Sequence, residues 1–393
     1  MKVALVYDRV NKIGGAERVL KVLHEIFPKA PLFTAVYNKK TARWADVFAV
    51  KTTFLHHIPK ASTNHEYFAW LAPLAFEELN LDEYDLVISI TSEYAKGIIT
   101  KPGTLHICYC LTPTRYLWSG YQTYFTSGWF RLLSKPFVNY LRSWDKVAAQ
   151  RPDYYIAISQ TVRERIKKYY GRESVVVYPP ITLEDDRRWK VEGRNLKMEG
   201  GSLINHLSSN FKNLPSTFYH PPSKKQYFLL VSRLVPYKRI DIAVEAFNQL
   251  GWPLKIVGTG REFEKLKAAA ASNIEFLQNL TDEALSSYYQ DCIALIFPGE
   301  EDFGLAILEA QSFGKPIIAY GSGGALETVV EGKTGEFFAP QTKEALVEKL
   351  KSFDATRYNV KDCQRQAEKF SKERFKIDLI NLIDLISKKH QIL

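Results

Sequence analysis

Short apolar runs recur along this chain, each followed by a turn and then by a helical pattern, and this alternation constrains the fold more than any other feature. Val3–Tyr7 leads through Gly14-Gly15 into Ala16–Ile26, whose apolar residues return at helical spacing. Pro31–Tyr37, Asp85–Ile90, Leu105–Tyr109, Asp153–Ser159 and Val175–Val177 read as further strands, with a helix at Thr161–Tyr169. The pattern restarts with strands at Tyr227–Val231, Leu254–Val257, Ile274–Leu277, Ile293–Phe297 and Pro316–Tyr320. Helices are expected at Ile240–Leu250, Arg261–Ala271, Asp282–Gln290 (Thr281 as its N-cap) and Thr342–Phe353. Strands alternating with helices predict parallel sheets. The expected fold class is therefore α/β, with two Rossmann-like doubly wound domains facing a cleft.

The chain has 393 residues, enough for two ordinary domains. Tyr178-Pro179-Pro180 closes the first, at 1–178. Residues 179–222 are polar and poorly periodic and read as a linker with an irregular surface insertion; 223–369 form the second domain. The tail, about 370–393, is amphipathic and long enough to pack back onto the first domain.

The stretch Pro298–Glu309 joins an apolar strand, a Phe303-Gly304 turn and a helix start, a natural seat for a phosphorylated ligand. Glu301 and Glu309 are not expected to act as an acid/base pair. Were both on one helix they would sit about 80° apart in azimuth and about two turns apart in height. Separate jobs suit them better: Glu301 accepts hydrogen bonds from sugar hydroxyls, and Glu309 takes those of a ribose. The amides of Phe303, Gly304 and Leu305 would face phosphate oxygens. Arg233 and Lys238 follow a strand directly, where two cations suit a diphosphate. Solvated loop charge is the plainer alternative for all four charged residues. Gly14 and Gly15 either make a plain turn or let the backbone approach a phosphate or sugar.

The net charge is +10, and residues 101–170 hold +8 of it. There Tyr116, Trp118, Tyr121, Tyr124, Tyr140 and Trp144 interleave with Arg115, Lys135 and Arg142. An anionic membrane surface is the favoured partner, beside a solvated basic face over core aromatics. Nucleic acid ranks behind both, because no recognised module appears. The Met1–Asp8 run is too short for a signal peptide, and no run reaches the length of a membrane span. Four Cys, two of them within apolar runs, suggest a reducing compartment; Cys108 and Cys110 read as core residues of one strand rather than metal ligands.

Taken together, these motifs resemble the retaining glycosyltransferases of family 4, which have the GT-B fold. The matching pieces are Val231–Asp241, Lys255–Gly260, Phe297–Gly304, Glu301-x7-Glu309 and Gly321–Val329. In the first half they are Gly14–Val19, His106–Cys110 with Thr112-Pro113, Arg115–Trp118 and Tyr178–Pro180. The look is that of bacterial mannosyltransferases that build surface polysaccharide. The resemblance implies a nucleoside-diphosphate sugar, GDP-mannose, as donor on the second domain, and a saccharide or lipid-linked acceptor on the first. It implies retention of configuration with no metal and no cofactor, and a cytoplasmic protein, peripheral on the inner face of the membrane. Arg233 and Lys238 would meet the leaving diphosphate and Glu301 the transferred sugar. The base would lie near Gly258 and the Gln278–Leu280 loop. One position departs: the family pattern Cys-Tyr-Cys-His-Thr-Pro has Leu111 in place of its second His, and Leu can offer only its backbone there. A degenerate, non-catalytic partner of a glycan-assembly complex is the alternative this departure supports. A nucleotide-sugar epimerase is disfavoured by the intact Glu-x7-Glu.

Overall fold

Every strand pairing named here is parallel, in two separate sheets. The structure is a computed structural model; it describes residues 1–12, 14–124, 128–182 and 226–390. The insertion expected within 179–222 lies almost entirely outside the described residues. The chain divides into two units, Met1–Pro180 with Phe370–Leu393, and Ile181–Lys369.

In the first unit the strands are β1 (Val3–Tyr7), β2 (Leu32–Thr34), β3 (Val50–Thr52), β4 (Leu86–Thr91), β5 (Leu105–Cys110), β6 (Tyr154–Ala157) and β7 (Val175–Val176). Their order is β3-β2-β1-β4-β5-β6-β7. β4 and β5 are buried at every residue, as strands covered on both faces must be. Val3 pairs with Leu86, and Leu86 with Leu105.

The second unit holds β8 (Phe228–Val231), β9 (Leu254–Val257), β10 (Ile274–Leu277), β11 (Leu295–Phe297), β12 (Ile317–Tyr320) and β13 (Gly335–Phe338). These run in the order β10-β9-β8-β11-β12-β13. Phe228 packs on Phe247 and Trp252 in the core beneath them. In both sheets the strand order reverses once, between β1 and β4 and between β8 and β11. Ligands of open α/β sheets bind beyond the strand ends at such a reversal.

β3 and β13 are absent from the sequence-based reading. Both are edge strands, and an edge needs only one neighbour and little apolar patterning: Lys51 interrupts one and Gly335 opens the other. The expected Pro31–Tyr37 strand contracts to Leu32–Thr34, followed by a single bridge from Val10 to Tyr37.

The tail helix Lys372–His390 belongs to the first unit. Phe375, Leu379, Ile383 and Ile386 recur at helical spacing and are buried, each contributing about 2 kcal/mol of apolar transfer. Phe375 meets the edge of Tyr109, and Lys372 and Lys376 both bond Glu25 on the helix Gly15–Ile26.

Candidate functional site

At the reversal of the second sheet the turns after β8, β9, β11 and β12 are locked to one another. The turn after β8 places Lys238, 7% exposed, so that its Nζ ion-pairs with Oε1 of Glu301 in the turn after β11. The cation expected on a diphosphate and the carboxylate expected on a sugar are thus partners. Arg233 lies exposed in the same β8 turn, its Nη2 donating to the Tyr237 hydroxyl at 2.5 Å. The carbonyl of Glu301 accepts the Gly324 amide at 2.8 Å, tying in the Gly321–Gly324 turn after β12. Gly258 ends β9, its amide donating to the Leu277 carbonyl at 2.9 Å; a Cβ there would run into the Ser232 carbonyl oxygen. That close approach explains why the β9 turn requires glycine.

Gly304 is the N-cap of the helix Leu305–Ser312, with φ +92°, the left-handed region that favours glycine. Phe303 beside it is buried, and Leu305 is the first helical residue. The opening amides of a helix have no intrahelical partner, so this end suits an anion. Glu309, one turn further along, is 6% exposed, and its Oε2 accepts the Tyr289 hydroxyl at 2.9 Å. Tyr289 is itself fully buried on the helix Asp282–Asp291, which Thr281 caps as expected by accepting the Ala284 amide. Sequence reasoning missed Tyr289, since no spacing links it to Glu309. Leu280 is half-buried and packs against the cluster around Val257 and Phe297.

In the first unit, Gly14 precedes the helix Gly15–Ile26 with φ −171°, extended backbone that any residue adopts. A Cβ at Gly14 would sit 3.1 Å from Oε2 of Glu17, a buried carboxylate whose Oε1 accepts the Tyr7 hydroxyl at 2.7 Å. Gly15 is exposed at the helix start. Asp8, buried just beyond β1, accepts the amides of Ser92, Glu93, Tyr94 and Ala95 and the Thr91 hydroxyl at 2.7–3.0 Å. One carboxylate thereby fixes the turn after β4; the only sequence signal was a charged residue ending an apolar run.

The Leu111 amide donates to the Thr91 carbonyl at 2.8 Å, continuing the β4–β5 ladder, so the backbone donor left by the missing His is already used. His106 is fully buried on β5, its Nε2 2.8 Å from Ser89 Oγ. Burial first, then Arg172 and Arg151, hold its pKa down at about 3. Cys108 and Cys110 are buried and free on that strand, and no cluster of metal-ligating side chains occurs among the described residues.

A buried ion pair supports the loop beyond Leu111. Lys96 Nζ lies 2.5 Å from Oδ1 of Asp145, both side chains 1% exposed. Asp145 also accepts the Thr114 hydroxyl at 3.0 Å and the Trp118 indole at 2.7 Å. Burial opposes the Lys96 charge, and Asp145 outweighs it, so the ammonium's pKa is raised.

The basic aromatic stretch splits in two. Tyr116, Trp118, Tyr121, Phe137 and Trp144 pack against the first unit's core, and Arg142 lies over the Tyr121 and Trp118 rings. Leu132, Leu133, Tyr140 and Val147, on the helix Gly128–Ala148, are 52–74% exposed. No helix among the described residues is long and apolar enough to cross a membrane.

Residues 217–370 match the family described as Glycosyl transferases group 1. Among curated relatives, the chain is 30% identical over 169 residues to the alpha-1,3/1,6-mannosyltransferase ALG2 of Dictyostelium discoideum, covering 35% of this chain and 40% of that protein. It is 33% identical over 123 residues to a GDP-mannose-dependent alpha-(1-6)-phosphatidylinositol monomannoside mannosyltransferase of Mycolicibacterium smegmatis, covering 27% and 32%. Each match spans under half the relative's length. Among solved structures, Anabaena HepE in complex with UDP aligns at TM-score 0.64 and 18% identity over 98% of this chain and 100% of that one. Sucrose-phosphate synthase from Thermosynechococcus elongatus aligns at TM-score 0.66 and 16% identity over 98% and 99%. At these identities the likeness is one of fold, and the fold is GT-B.

Proposed function

We propose, from the premise that residues 217–370 form a glycosyl transferases group 1 domain, that this chain is a retaining, metal-independent sugar transferase. It moves mannose from GDP-mannose to a saccharide or lipid-linked acceptor in surface-glycan synthesis. The observation that carries this reading is the Lys238–Glu301 pair, set beside the Gly304-capped helix and Arg233 at the reversal of the second sheet. In this reading Lys238 and Arg233 meet the diphosphate as charge develops on the leaving group. Glu301 holds hydroxyls of the transferred sugar and also orients Lys238. Glu309, steadied by Tyr289, holds the ribose, and the β9 turn at Gly258 with Leu280 borders the base. Mannose is favoured by the names of the two mannosyltransferases above, and guanine by the GDP-mannose-dependent one alone. The test is a thermal-shift panel of GDP-, UDP- and ADP-sugars with transfer assays alongside: GDP-mannose should raise the melting point most. No shift with any of them would sink the reading.

The partner surface in this reading is an anionic membrane leaflet. The exposed apolar stripe on Gly128–Ala148 sits within the segment that carries +8, so apolar insertion and charge attraction act together. A second reading, a non-catalytic partner of a glycan-assembly complex, is favoured by Leu111, whose amide is committed to Thr91. Tight nucleotide binding without transfer or donor hydrolysis would select it.

A further inference from the structure

We infer that Arg239 is a positioning residue for Lys238: its backbone, held in the left-handed region, sets the chain so that the buried ammonium meets Glu301. This rests on the proposed function for the task of Lys238 and deepens it by naming the device that aims the side chain.

Among the described residues only Lys60, Arg239 and Asn279 take a positive φ without being glycine. Asn adopts that region readily, and Lys60 lies on an exposed turn. Arg239, at φ 52° and ψ 40°, is the one that adjoins the site. A side chain like arginine's disfavours this conformation by about 5- to 30-fold in population, so the surroundings must impose it.

They do so from both sides. Before Arg239, Pro236–Lys238 make one turn of 3-10 helix, in which the Lys238 amide donates to the Val235 carbonyl at 3.0 Å and the Arg239 amide to the Pro236 carbonyl at 3.1 Å. The Lys238 backbone lies so close to Gly299 that a Cβ there would fall 2.7 Å from the Lys238 carbonyl oxygen. After Arg239, Ile240 and Ile242 enter the core of the second unit at once. The Ile242 amide donates to the Arg239 carbonyl at 3.2 Å and opens the helix Ile240–Leu250. A single residue therefore joins two fixed segments, and it does so left-handed.

The side chain secures that join. Arg239 Nε donates to both carboxylate oxygens of Asp241 at 3.2 Å, and Nη2 to Oδ2 at 3.1 Å. Asp241 sits in the first turn of the helix, where a carboxylate is favourable. Both side chains are half-exposed, so the pair adds little stability as a pair. Its planar fork instead tethers the left-handed residue to the helix that it starts. What Arg239 gives the site is thus its backbone conformation rather than a further cation.

The test compares Arg239→Gly, Arg239→Asn and Arg239→Ala in the full chain by two measurements. One is labelling with acetic anhydride, read at Lys238 by peptide mass spectrometry against the exposed lysines of the same sample. The other is kcat and KM with GDP-mannose. Ala keeps the strain and loses the tether, so Lys238 should label at least about fivefold faster than in the parent protein. Gly and Asn accept the left-handed region untethered and should stay within about twofold. Likewise kcat should fall at least about fivefold in Arg239→Ala with KM within about twofold, because Lys238 acts on charge that develops in the transition state. Asp241→Ala removes the tether from its other end; it should act as Arg239→Ala does and add nothing in the Arg239→Gly background. Gly and Asn variants as impaired as Ala, or Arg239→Ala and Asp241→Ala labelling at the parent rate, would overturn the inference. A parent protein that neither binds GDP nor transfers from GDP-mannose would count against the proposed function, and the order of labelling rates would still decide whether Arg239 aims Lys238.

Discussion

Lys238 and Glu301 lie on turns that follow adjacent strands, β8 and β11, and each is the other's ion-pair partner, the lysine 8% and the acid 23% exposed in their side chains. In the proposed reading, a cation this enclosed is oriented before the donor's phosphate arrives. Lys238→Ala should therefore lower transfer by about 10²- to 10³-fold, the range for removing one preorganised donor. Circular dichroism should show an unchanged fold. Turnover within tenfold of the parent protein would refute the assignment.

Tyr289 donates the hydrogen bond that orients the Glu309 carboxylate. Tyr289→Phe removes that bond and keeps the ring that stacks on Phe313. Nucleotide-diphosphate affinity should fall by about fivefold, the equivalent of about 1 kcal/mol, while Glu309→Ala should cost more. Titration calorimetry on both variants measures the difference.

The Lys96–Asp145 pair is enclosed on all sides, and removing one partner leaves the other charge stranded. Asp145→Ala should destabilise the first unit by about 3–5 kcal/mol, whereas replacing both by apolar residues of similar volume should cost much less. Denaturant unfolding of the single and double variants separates the two outcomes.

His106 gives the stability a pH dependence with a definite sign. Its folded pKa of about 3 lies below the unfolded value of 6.5, so the unfolded chain binds the proton first. The contribution is complete above pH about 6.5 and is lost as pH falls from there toward 3. At pH 5 the loss from this residue is about 2 kcal/mol. His106→Gln should flatten the stability curve over that window, and an unchanged slope would show that His106 does not titrate this way.

Leu132 and Leu133 are 63% and 74% exposed on a helix within the basic segment. Changing both to Ser should weaken co-sedimentation with anionic vesicles at least about threefold, and added salt should weaken what remains. Binding indifferent to both changes would remove the membrane from the account.

The strands enclosed between helix layers are legible in the sequence, because burial on both faces leaves an uninterrupted apolar run such as Phe228–Val231 or Leu295–Phe297. Two edge strands escape notice, Val50–Thr52 and Gly335–Phe338, which form only because a neighbour offers its ladder, whereas the apolar residues of the edges Val175–Val176 and Ile274–Leu277 make them legible. For the site, the types and spacing of Glu301, Glu309, Arg233 and Lys238 are visible in one dimension. Their partners are not, since Tyr289 reaches Glu309, and Lys238 reaches Glu301, only after separate strands align. Leu111 shows the same limit from the other side: the sequence shows a lost imidazole, while the Thr91 bond that occupies its amide belongs to sheet register.

The first unit is assembled from both ends of the chain, since Phe370–Leu393 joins Met1–Pro180. During synthesis the usual order, in which the leading domain folds first, is therefore inverted. Ile181–Lys369 can close as soon as it has been made, while Tyr109 and Glu25 wait for Phe375, Lys372 and Lys376, which are added only after it. Of the two units, the one that begins first is completed second.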